Sequence, residues 1–499
     1  MVAIPVRHAA AEPPIGESAG SFSGRHPVSP STVKGAPEIL HPAPEQFVAS
    51  GAADLYKSRP MSLAPSTSEG TPAPQQSLKD ITPSQWKSGI AAWLGWLFDG
   101  LDLHLYTLVA TAFVAILLGY SGTLDGAASE DVRTKAGWIQ AAFLIGWALG
   151  GTFFGRLGDL IGRSRALSLT ILTYAVFTGL SFFAAEWWHL LIFRFLAALG
   201  IGGEWAVGST LLSETWPKGW RKTMAAVLQT AVNLGILIAC LAGYLMKSLP
   251  PNWIFLVGVL PAFIVFWIRK NVPEPETWQG AKATARAKPP MMDLFRGNLL
   301  KITVPAVIVC AFSLTAWWAF LFWQSQVMRS LAAAAQLPPD AVNSFVARSF
   351  ATLIAVSIPG NFFAGWLASR LGYRRAIALM FGGFVITVIA TFGPEHPIEA
   401  MAFFWLPAVG FWSGAYGLFT MFLPPLFPSL LRTTGAGFCY NIGRFAAAAG
   451  TVYAQQITGG GDFRRTLLWA AVLWVPAIIA VFFLPEPEDE SLPSAEASV

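Results

Sequence analysis

GRLGDLIGRSR, from Gly155 to Arg165, is written again 210 residues later as GWLASRLGYRR, from Gly365 to Arg375. Gly155 matches Gly365, Leu157 matches Leu367, Gly162 matches Gly372 and Arg165 matches Arg375. Each copy is basic, punctuated by glycine and set between two long apolar stretches. Pro217 and Arg221 match Pro428 and Arg432, so the repeat runs beyond the loop. A duplicated unit of this size in an apolar chain predicts an all-α membrane protein of two six-helix bundles. Its function is then to be sought between the halves.

Composition agrees. Hydrophobic residues make up 54% of the 499, charged residues 12%, and mean hydropathy is +0.53. A soluble domain carries about 25% charged residues. Twelve apolar runs are long enough to cross a bilayer, which takes about 20 residues. They cover 90–118, 137–156, 166–185, 188–212, 223–246, 253–270, 301–326, 344–368, 376–393, 398–423, 433–456 and 465–484. The expected organisation is a Pro- and Ala-rich tail over 1–85, a bundle over 86–270, a linker over 271–300, a second bundle over 301–484 and an acidic tail over 485–499.

The net charge is +5 and the isoelectric point about 9.1. Arg163, Arg165, Lys218, Lys222, Lys270, Arg370, Arg374 and Arg375 fall in even-numbered loops, whereas odd-numbered loops hold Asp125, Glu130, Glu186 and Glu395. This is the positive-inside pattern, which places both termini in the cytoplasm and leaves no basic stripe for nucleic acid. Cys240, Cys310 and Cys439 lie inside separate runs and read as packing residues.

At the repeated loop the chain resembles the major facilitator superfamily. Gly155, Leu157, Asp159, Gly162, Arg163 and Arg165 carry its G-x-L-x-D-x-x-G-R-x-R signature, and Ser369 replaces the acid in the second copy. The resemblance covers about 86–484 and implies twelve helices and alternating access. It also implies a gating role for this loop, with Asp159 pairing to a basic group at a neighbouring helix end, and for Gly365 and Arg375 in the second copy. FDGLDL, Phe98 to Leu103, is similar to a signature of aromatic-acid:proton symporters. RFLAALGIGGEW, Arg194 to Trp205, followed by SETWP, is similar to metabolite and sialate/lactate:proton symporters. FSLTAWWAFLFWQSQ, Phe312 to Gln326, lacks the charges of fungal lactate permeases. The resemblance therefore implies a proton-coupled carboxylate transporter, with lactate not singled out.

Charges inside the runs are informative without any family. Asp99 and Asp102 lie in run one, Arg194 and Glu204 in run four and Arg444 in run eleven. Each costs about 2.5–3.5 kcal/mol at a helix centre on insertion scales, so these groups must face water, substrate or one another. Asp99, Asp102 and Tyr106 share one helix face by i, i+3, i+7 spacing. His104 points away from it and reads as a hydrogen-bonded structural residue. Asp99, Asp102 and Glu204 are candidates for proton coupling. Arg194 stands either as a structural partner of Asp102 or as part of the coupling. Arg444 is the anion-binding candidate, because guanidinium grips carboxylate with a bidentate fork. Tyr106, Asn233, Gln324 and Asn441 are candidate polar lining for the substrate.

Neither cofactor nor metal is expected, nor enzyme activity. No G-x-x-x-x-G-K-[ST] loop for nucleotide occurs. The expected partners are a small organic anion, protons and the lipid bilayer of the inner (plasma) membrane, with the chain acting as a monomer. Two other functions fit the same residues, a proton-driven exporter of drugs or metabolites and a non-transporting membrane sensor or scaffold.

Overall fold

A computed structural model describes residues 77–120, 126–246, 248–285, 287–449 and 463–487. The expected tails lie outside them up to residue 76 and from residue 488 onward. Among the described residues there is no strand.

The first bundle holds α1 (Pro83–Leu117), α2 (Gly126–Ile161), α3 (Arg163–Ser181), α4 (Trp187–Thr215), α5 (Arg221–Leu245) and α6 (Ala262–Asn271), which follows a 3-10 stretch, Pro251–Val259. The second holds α7 (Gly297–Ala334), α8 (Pro339–Leu371), α9 (Tyr373–Phe392), α10, α11 (Arg432–Asn441, resuming over 443–449) and α12 (Phe463–Val472 and Trp474–Val481). α10 spans Ile398–Phe422 but is broken by a π-helical stretch, Met401–Trp405, and by a bend at Ser413 and Gly414. A short helix, Glu276–Thr284, lies between the bundles in sequence.

Local chemistry explains the ends. α1 opens on a capping box. Thr82 Oγ1 accepts from Gln85 N–H at 3.3 Å, the Thr82 N–H donates to Gln85 Oε1 at 2.9 Å, and Pro83 fills the first position. α3 and α9 each start one residue after a left-handed glycine, Gly162 at φ +113° and Gly372 at φ +82°. An L side chain is strained there, which explains the paired glycines of the repeated loop.

Ten of these helices are long and apolar enough to span a bilayer among the described residues. α3 is not among them, as it carries Arg163 and Arg165 besides Ser164, Ser168, Thr170, Thr173, Thr178 and Ser181. Ser168, Thr173 and Ser181 donate to the carbonyl four residues back, which satisfies each hydroxyl within the helix. Large apolar side chains such as Phe183, Phe266, Trp469 and Phe483 are more than two-thirds exposed. Lipid, not water, is the solvent for such a surface. The end of the molecule carrying the α2–α3, α4–α5 and α8–α9 loops is called the basic end below.

Candidate functional site

At the basic end the two bundles are joined by a buried charge network. Asp159, near the end of α2, reaches across to the start of α11. Its Oδ1 accepts from Thr433 N–H at 3.2 Å, and its Oδ2 accepts from Thr434 N–H at 2.8 Å and Thr434 Oγ1 at 2.6 Å. A carboxylate at a helix N-terminus satisfies free N–H groups and faces the positive end of the dipole. Arg163 lies 3.2 Å from Asp159, grips Glu214 through Nε at 2.9 Å and Nη2 at 3.0 Å, and donates to Ser429 O across the interface. Arg432 of α11 donates to Glu214 at 2.9 Å. Two carboxylates meet two guanidiniums, so the buried charge is balanced. The basic group paired with Asp159 is thus on the following helix of its own bundle, and the cross-bundle partner is the α11 N-terminus.

The backbones can come this close because glycines line the seam. A Cβ at Gly155 would lie 2.8 Å from Thr433 O, and one at Gly437 would collide with Gly151 O. The repeat reproduces the contact. A Cβ at Gly365 would lie 2.9 Å from Lys222 O. The second copy lacks the acidic cap, however. Ser369 donates within its own helix to Gly365 O.

Glu274 accepts from the N–H groups of Ser164 and Arg165 at 3.1 Å each, capping α3. Glu486 accepts likewise from Tyr373 and Arg374 N–H, capping α9, and Arg374 lies 3.3 Å from it. The signal was present in the sequence as VPEPE, Val272 to Glu276, and LPEPE, Leu484 to Glu488. The side chains of Arg165 and Arg375 point outward, so Arg163 and Arg374 are the loop arginines held in contacts. Glu214, Glu274 and Glu486 were not read from the sequence, since each lies at a helix end where a solvated carboxylate is ordinary.

Deeper in, the repeat places Asn233 and Arg444 at matching positions, each twelve residues into its helix, or about 18 Å. Their partners match too. Asn233 Nδ2 donates to Ser357 Oγ at 2.5 Å and its Oδ1 accepts from Asn361 at 3.0 Å, tying α5 to α8. The Arg444 guanidinium sits 4.0 Å over the Trp147 ring, tying α11 to α2. Arg444 Nη1 donates to Asn441 Oδ1 at 2.6 Å, and Asn441 donates to Gly437 O. Arg444 Nε is buried without an acceptor, as are the indole N–H groups of Trp147 and Trp318, whose rings lie 5.7 Å apart. Among the described residues Arg444 has no carboxylate partner. Between this layer and the basic end, Trp205 of α4 stacks on Tyr440 of α11 at 3.6 Å, almost parallel.

The carboxyls fall into two settings. Asp102 is paired. Arg194 Nη2 lies 3.0 Å from its Oδ2, Arg194 Nη1 lies 3.3 Å from its Oδ1, and Thr178 Oγ1 donates to Oδ1 at 2.5 Å. Tyr106, Phe143 and Phe255 surround that guanidinium. The Tyr106 hydroxyl donates to Ala136 O, so Tyr106 belongs with the Asp102–Arg194 pair and not with Arg444. Asp99 is unpaired. Both its oxygens are buried without a hydrogen-bond donor, and Glu204 Oε2 is in the same state. The two carboxyls are neighbours, since Glu204 Oε1 packs against Gly95, one turn before Asp99 on α1. Gly95 makes the approach possible, since a Cβ there would occupy the place of the Glu204 carboxyl.

Gln324 bonds locally, to Leu321 O and Ser325 Oγ, with Oε1 buried and unpartnered. His104 lies with Nδ1 2.9 Å from Gly100 O and is held within α1.

Residues 92–451 match the family described as the Major Facilitator Superfamily. The chain is 28% identical to the sialic acid transporter NanX of Escherichia coli K12, covering 76% of this chain and 89% of that protein. It is 28% identical to the niacin transporter NiaP of Acinetobacter baylyi, covering 80% and 94%. Against the cis,cis-muconate transport protein of the same organism identity is 24%, covering 81% and 95%. Among solved structures, a proton:xylose symporter superposes with a TM-score of 0.65 at 15% identity, over 82% of this chain and 98% of the other. That likeness concerns the fold. The family match, the duplicated bundles and the glycine-lined seam between them lead to one conclusion: the chain belongs to the Major Facilitator Superfamily and is a multi-pass secondary transporter, not an enzyme.

Proposed function

We propose that this transporter is a proton-coupled symporter of a small organic anion, a carboxylate, working by alternating access. One observation carries the reading. Among the described residues the buried Arg444 guanidinium has no carboxylate partner, and the buried carboxyls of Asp99 and Glu204 have no cation partner. A guanidinium left open in an apolar surround is a receptor for an anion. Two neighbouring buried carboxyls hold one proton between them more cheaply than two charges. Arriving substrate and arriving proton thus neutralise one another's site, the condition for moving them together. The relatives named for sialic acid, niacin and muconate support the carboxylate class.

In this reading Trp147, Trp318 and Asn441 complete the anion site around Arg444. Asp102 and Arg194 are the standing counter-charge beside the proton pair. The basic end faces the cytoplasm, following its Lys and Arg excess, and the protein works as a monomer in the inner membrane. The Asp159–Glu214 network acts as the cytoplasmic gate.

The test is uptake into proteoliposomes of purified protein with a panel of carboxylates. An inward acid gradient should drive accumulation that a protonophore abolishes. Accumulation of every accepted substrate to no more than its external concentration would reject the coupling.

A further inference from the structure

We propose that the proton passes between the Asp99–Glu204 pair and the basic end through the interior of the first bundle, along a passage closed by Leu228 and separate from the substrate path. The proposal rests on the proton-coupled reading above.

Glu204 borders a crevice too narrow to admit water, walled by Ala92, Trp96, Trp205, Gly208, Ser209 and Leu228. Its Oε2 is buried there without a donor, and the indole N–H of Trp205, which also lines the crevice, is buried without an acceptor. On the other side of Leu228 lies a cleft of about 170 Å³ with room for water, walled by Trp86, Gly89, Trp93, Leu212 and Trp216. Leu228 lines both spaces and is itself buried. All these residues belong to α1, α4 and α5 or to the turn after α4. None comes from the second bundle. The Arg444 site, by contrast, lies on the α2–α11 seam, where substrate is released when the bundles part. The cleft reaches the basic end, where Trp86 is 43% exposed.

An apolar constriction of this kind gates by dewetting. Water does not bridge it until it widens or gains a polar lining. Leu228 then keeps the proton site from equilibrating with the basic side while the gate is shut. A transporter without that seal would leak protons and lose its gradient without moving substrate. Movement of α5 on gate opening would carry Leu228 aside and release the proton.

The experiment uses the full chain in proteoliposomes with an entrapped pH dye and the membrane potential clamped. Leu228→Asn and Leu228→Ala are expected to raise substrate-independent proton flux several-fold over the parent. Adding Glu204→Gln should return that flux to the parent level. Substrate counterflow should stay within about twofold in the single variants, which also shows that they fold. Leu228→Phe should slow acid-driven uptake and spare counterflow. Parent-level flux in both enlarged variants with counterflow intact would overturn the proposal, as would a leak that survives Glu204→Gln. Failure of the symport reading is distinguishable, because it shows as absent acid-driven accumulation in the parent protein.

Discussion

Replacing Asp159 by Asn tests the gate through its energetics. The carboxylate accepts three hydrogen bonds from the start of α11 and lies 3.2 Å from Arg163. Asn keeps one acceptor oxygen and no charge. Arg163 remains paired with Glu214, so no guanidinium is orphaned. The loss is then about two charge-assisted bonds, each about 1.5–3 kcal/mol. Taking about 3 kcal/mol, the population closed at the basic end falls by roughly a hundredfold against the open one. The readout is alkylation of a cysteine at Ala206, which is buried against Gly437 at the seam, in a background without Cys240, Cys310 and Cys439. Labelling should accelerate steeply in Asp159→Asn and turnover should fall, while substrate affinity stays within a few-fold. Unchanged labelling, or lost affinity with normal turnover per bound substrate, would refute the gate reasoning.

Asp102→Asn leaves the buried Arg194 uncompensated and should cost about 3–5 kcal/mol of stability, visible in thermal unfolding. The double variant with Arg194→Gln should recover most of it, and no recovery would mean the pair is not the cause. Gly151→Val places side-chain atoms where Asn441 and Gly437 lie and should hold the basic end open. The Ala206 cysteine should then label at its fast rate whether or not substrate is present. For topology, a cysteine at the exposed Ser369 should label from the cytoplasmic side and one at the exposed Glu395 from outside. Ser164 is unsuitable, being buried with its hydroxyl on Val272 O. Reversed labelling would overturn the orientation.

The helices were legible because lipid imposes length and apolarity, and the repeated loop because left-handed backbone at Gly162 and Gly372 demands glycine. The Asp102–Arg194 pair was half legible, since opposite charges inside apolar runs need a partner. The Asp99–Glu204 contact was not. Gly95, with no side chain one turn before Asp99, lets Glu204 reach across, and the spacing along either helix does not show that. Asn233 and Asn441 were singled out as polar lining. Asn233 bonds across to Ser357 and Asn361 of the second bundle, and Asn441 bonds within α11 while packing against Gly151 of α2, placements that depend on which helix faces which and that spacing along one helix does not encode. The Trp205–Tyr440 stack was hidden for the same reason, because aromatics are abundant in every run.

The central claim, that proton and anion occupy opposite unpaired charges of one site, is tested by running counterflow beside acid-driven uptake in the same proteoliposomes. Asp99→Asn and Glu204→Gln should abolish accumulation against a gradient and retain exchange. Arg444→Gln should weaken substrate affinity by roughly ten- to a hundredfold, the worth of one charge-assisted pair. Lys at that position should not restore it, lacking the planar fork. Full accumulation in both carboxyl variants, or unchanged affinity in Arg444→Gln, would contradict the account.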